Sequence, residues 1–94
     1  MFKTYTLKRI VDEQLTKTEG KRFFQLVDES GIKRVVCANT IIDDNKIIKV
    51  IGTSKREQPL LDSLFSSNIN QAVNIDFSQY GDTCDQRNEP VIIL

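Results

Sequence analysis

Apolar positions along this chain recur mostly with a period of two, and only once with the spacing of a helix. Phe2 to Val11 alternates and reads as a first strand, with Tyr5, Leu7 and Val11 on one face and Lys8 and Ile10 on the other. Asp12 to Gly20 is polar and closes in a turn over Thr16 to Gly20. Lys21 to Asp28 is a second strand, Phe24 and Leu26 opposed to Phe23, Gln25 and Val27. Glu29-Ser30-Gly31 is a tight turn, since glycine supplies the positive φ such hairpins use. Ile32 to Ala38 returns as a third strand, with Val35 and Cys37 opposed to Ile32, Arg34 and Val36. Thr40 to Ile42 can extend the sheet before a turn at Asp43-Asp44-Asn45.

The stretch Lys46 to Phe65 organises the rest. Ile47, Ile48, Val50 and Ile51 make a β-branched strand that Gly52 stops. Leu60, Leu61, Leu64 and Phe65 then line one face of a short helix that ends near Ser66 to Asn68. Its start has two readings. Ser54 and Glu57 fit an S-x-x-E capping box, whereas Pro59 suits a first helical turn and puts the start nearer itself. Ala72 to Phe77 alternates as a fifth strand, Ser78 to Glu89 is a polar loop, and Pro90 to Leu94 reads as a last strand. The expected fold is α+β in one domain, residues 1–94. It is a mostly antiparallel sheet of five or six strands with one short helix, or a small partly open barrel. The core expected from this pattern is Tyr5, Leu7, Phe24, Leu26, Val35, Val50, Leu61, Leu64, Phe65, Ile75, Phe77 and Ile92.

Charge changes the picture more than composition does. Thirteen basic and thirteen acidic residues cancel over the 94 positions. Residues 1–58 nevertheless carry a net +4 and residues 59–94 a net −4. A zero total argues against nonspecific nucleic-acid binding, which depends on phosphate neutralisation. The polarised halves can still steer a charged partner. No apolar run approaches the ~20 residues of a membrane span, and the first residues lack the apolar stretch of a signal peptide. Two cysteines, Cys37 and Cys84, are too few for a secreted disulfide scaffold, so the expectation is a cytoplasmic chain with both thiols reduced.

The chain contains no histidine, which rules out Ser-His and Cys-His catalytic pairs. No paired carboxylate motif points to acid–base catalysis. Asp82, Asp85 and Glu89 beside Cys84 lack the spacing of a calcium loop and the ligand set of a zinc site, so neither metal nor cofactor is expected. The candidate ligand site is the strand–turn–helix junction Gly52, Thr53, Ser54, Lys55 and Arg56. If the helix starts at Ser54, its free amides and the two cations can hold a phosphate or nucleotide.

Ile51-Gly52, Leu60 to Leu64 and Val73 to Phe77 together resemble the small viral ring nucleases that degrade cyclic oligoadenylates. That family places a catalytic histidine directly after the glycine, where this chain has Thr53. The resemblance therefore implies a binder of such ligands and not a nuclease. A second resemblance runs over Glu19 to Val36. Gly20, Lys21, Phe24, Leu26, Val27, Asp28, Glu29, Ser30, Gly31 and Arg34 are similar to strands two and three of oligonucleotide-binding folds of the replication protein A type. The aromatic residue that usually ends the third strand is replaced by Ala38. This resemblance implies that Lys21, Phe23, Lys33 and Arg34 face a single-stranded nucleic acid, which such barrels hold by stacking and flanking cations.

The sequence thus points first to a small non-catalytic interaction protein of the inhibitor or adaptor type, such as phages and mobile elements encode. A protein partner is expected, and Val91 to Leu94 is expected either to sit between neighbours in the sheet or to pair across a two-fold axis in a homodimer. A single-stranded nucleic-acid module and a nucleotide binder are the alternatives.

Overall fold

The computed structural model describes residues 2–52 and 55–79. Five strands form one antiparallel sheet: β1 Lys3–Gln14, β2 Glu19–Asp28, β3 Lys33–Asp43, β4 Lys46–Ile51 and β5 Ala72–Ile75. Their spatial order is β4-β3-β2-β1-β5, and the sheet curls into a half-barrel. One short helix, α1 Gln58–Phe65, sets its leucines against the concave face. This is the α+β arrangement that the alternation predicts. The expected last strand with Ile92, its dimer contact, Cys84 and the acidic loop all lie outside the described residues.

The turns follow local chemistry. The Asp28 carboxylate accepts from the amides of Ser30 and Ile32 at 2.8 and 2.9 Å, and Gly31 takes φ 86°. Asp44 and Asn45 both take positive φ between β3 and β4, the backbone of a two-residue hairpin whose twist matches the strands. That turn lets β3 run on to Asp43 without a break, well past Ala38.

β1 is longer than expected and changes phase. Leu7 lies opposite Leu26, yet Arg9 lies opposite Gln25, so Lys8 is the extra residue of a β-bulge. One inserted residue exchanges the two faces of everything beyond it. Ile10 therefore lies opposite Phe24 and packs on the core, while Val11 lies opposite Phe23, the reverse of the simple alternation.

The core joins Tyr5, Leu7, Phe24, Leu26, Val36, Ala38 and Val50 of the sheet to Leu60, Leu61 and Leu64 of α1, with Ile75 of β5. On β3 the core face is that of Val36 and Ala38, because Val36 pairs with Phe24. Val35 is covered as well, but on the convex face. Cys37 lies on that convex face, buried and disulfide-bonded, against the expectation of reduced thiols. Phe65 falls outside the core at 40% exposure, with the Arg22 guanidinium 5.4 Å above its ring. Phe77 packs from the side, edge-on to Tyr5 at 5.1 Å.

Helix α1 takes the later of its two readings. Its N-cap is Glu57, which makes no side-chain capping bond, and Pro59 sits in the first turn. A single 3-10 turn, Lys55–Glu57, precedes it. Ser54 is thus not the cap of α1. The Gln58 amide fastens the helix start to the sheet by donating to the Val50 carbonyl at 2.9 Å and to Asp62 at 2.8 Å.

Candidate functional site

Three residues of the junction, Gly52, Lys55 and Arg56, are described. Gly52 does not use positive φ; it makes room. A Cβ there would lie 2.7 Å from the Cβ of Glu57 and 2.9 Å from its Oε1. Glu57 is 4% exposed, so the chain holds its own carboxylate at the helix start, where the positive end of the helix dipole favours a negative group. Lys55 and Arg56 stand exposed ahead of it, the Arg56 guanidinium reaching the Gln79 carbonyl at 3.5 Å. Thr53 and Ser54 lie outside the described residues. The two cations therefore precede a helix start already faced by a carboxylate.

The hairpin residues divide between two faces. Lys21, Phe23 and Lys33 share the convex face, as Phe23 pairs with Cys37 and Val27 with Lys33. Arg34 pairs with Leu26 and turns the other way, its guanidinium 4.3 Å over the Phe77 ring. Lys21 and Lys33 stand six β2 positions apart, roughly 20 Å along a strand. Lys21 lies opposite Glu13, and the half-buried Phe23 lies opposite Val11 and Cys37. The structure brings three of the four predicted residues to one face and removes the fourth.

A third cluster was not in the sequence reading. Leu15, Ile41 and Ile48 are 55, 37 and 56% exposed. Leu15 donates its amide to Glu19, Glu19 pairs with Ile41, and Ile41 pairs with Lys49 beside Ile48. The Ile42 amide also donates to Thr18 at 2.9 Å, which ties the β1–β2 turn to β3. All three aliphatic residues thus gather at the end of the sheet that carries the β1–β2 and β3–β4 turns. Ile48 is the unpaired extra residue of a second bulge, between Ile47 opposite Ile42 and Lys49 opposite Ile41. Among the described residues β4 forms the sheet edge there. Register alone assembles this patch, since its members lie 26 and 7 positions apart in sequence.

Among the described residues no group of three His, Cys, Asp or Glu side chains is placed to hold a metal ion, and no helix is long and apolar enough to cross a membrane. No protein-family model, curated protein or solved structure matches the chain.

Proposed function

We propose that the chain is a non-catalytic protein-interaction module, and that its contact surface is the end of the half-barrel formed by Leu15, Ile41, Ile48 and the adjoining edge of β4. The observation that carries this reading is the convergence of exposed aliphatic side chains from three separate segments onto one end of the sheet. Single exposed apolar residues are ordinary, whereas several gathered at one end of a sheet among charged side chains suit an interface. Glu19 stands between Leu15 and Ile41 in the register, and Lys46 and Lys49 flank Ile48. An inhibitor or adaptor acts through such a surface and needs no reactive side chain.

The test is photo-crosslinking from position 48 in an extract of the source cells, with and without Ile41→Ser. Ile41 keeps 37% of its surface in solvent, so Ile41→Ser should cost about 1 kcal/mol and leave the domain folded. The reading expects one discrete crosslinked protein that Ile41→Ser removes. Identical crosslinks from both forms would refute it.

A further inference from the structure

The residues around β4 also say what chemistry such a partner would bring. An edge strand leaves alternate backbone N–H and C=O groups unpaired, a template for one more strand. Among the described residues no strand lies beyond β4, where the Val50 carbonyl already accepts from Gln58 at 2.9 Å. From Asn45 to Arg56 the sequence holds four cations, Lys46, Lys49, Lys55 and Arg56, flanked by Asp43, Asp44 and Glu57, with Lys46 directly opposite Asp43. All four are exposed. Ile48 is exposed in the middle of this basic strip.

Building on the reading above, we infer that β4 receives an extended acidic segment of a partner protein, added as a sixth strand, with an apolar side chain beside Ile48. Charge selects this occupant over a second copy of the chain. Two β4 strands pairing with each other would bring four lysines onto one short ribbon, and facing like charges destabilise strand pairs. Lysines on an edge are also how sheets avoid self-pairing. The same lysines attract a strand carrying Glu or Asp, so one feature both rejects the wrong partner and recruits the right one.

The probe is a ten-residue peptide alternating Glu with Val and Thr, compared with its Lys-for-Glu counterpart, titrated into the full chain while backbone amides are followed by NMR. The expected result is binding of the acidic peptide alone, protection of amides within Lys46–Ile51, and weakening as salt is raised. Lys46→Glu with Lys49→Glu should lower affinity by about tenfold or more. Equal binding of both peptides, unchanged β4 amides, no binding of the acidic peptide, or a dimer of the free chain by sedimentation would each overturn the inference. The broader reading stands or falls separately: a position-48 crosslink that Ile41→Ser abolishes but the double Glu variant leaves intact keeps the interface and discards the acidic strand.

Discussion

Glu57 packs so closely onto Gly52 that a methyl group on Gly52 would lie 2.7 Å from the Glu57 Cβ. Leu61 Cδ1 would be 3.0 Å away, so the methyl meets the helix on two sides. Gly52→Ala should therefore destabilise the fold by about 1–3 kcal/mol through overpacking, without any contribution from φ. Urea denaturation of Gly52→Ala, Glu57→Gly and the double variant measures this as a coupling energy. Strictly additive effects would contradict the contact.

Thr40 presents the opposite case. Its hydroxyl is buried and has no hydrogen-bond partner among the described residues. It lies 3.0 Å from where a Cβ of Gly20 would be, so it packs as if it were a methyl group. Thr40→Val keeps the shape and removes an unsatisfied polar atom, which should stabilise the domain by about 1 kcal/mol. Thermal unfolding checks it; a lower midpoint for the variant is the contrary outcome.

Leu64 and Phe65 are neighbours on α1 with unequal roles. Leu64 is fully buried, and Leu64→Ala should cost about 2–4 kcal/mol. Phe65 keeps 40% of its surface in solvent, so Phe65→Ala should cost only about 1 kcal/mol, mostly the loss of packing under Arg22. Chemical denaturation of the two variants should rank them in that order.

Arg22 grips Asp12 with two donors, Nε at 2.6 Å and Nη2 at 3.0 Å, across the β1–β2 pair. The fork geometry is what a lysine lacks. Arg22→Lys should cost about 1 kcal/mol, and Asp12→Asn about as much, with the loss shrinking at high salt because Asp12 remains partly solvated. Variants that both keep the midpoint of the unaltered chain at low salt would make the pair energetically silent.

Much of this architecture is legible in the sequence where period two is clean. Phe24 and Leu26 against Phe23 and Val27 place β2 correctly, and β4 ends where its β-branched run does, at Ile51. The alternation misleads at Lys8, because a bulge inserts a residue without a sequence mark and turns Val11 outward. It is mute on β3, where Val35, Val36, Cys37 and Ala38 are apolar in both phases, so only pairing with Phe24 selects the core face. The capping signal of Ser54 loses to the fixed φ of Pro59. The patch of Leu15, Ile41 and Ile48 is invisible to a linear reading, since cross-strand register assembles it.

Every strand pairing described here but one joins neighbours in sequence. β5 is the exception: it meets β1 across a separation of 70 residues, with Thr4 Oγ1 donating to Asn74 Oδ1. Strands β1 to β4 can zip up from three short turns, each closing a small loop, whereas the four-residue β5 must close the longest loop of these pairings. The half-barrel is thus a ribbon fastened by a clasp. Such a clasp forms late and lets go early, so the amides of Ala72–Ile75 should exchange with deuterium well before those of Phe24 to Leu26. Each time it opens, Leu60 and Leu64 meet water while the hairpins stay shut, and the rate of that breathing is set by one short strand.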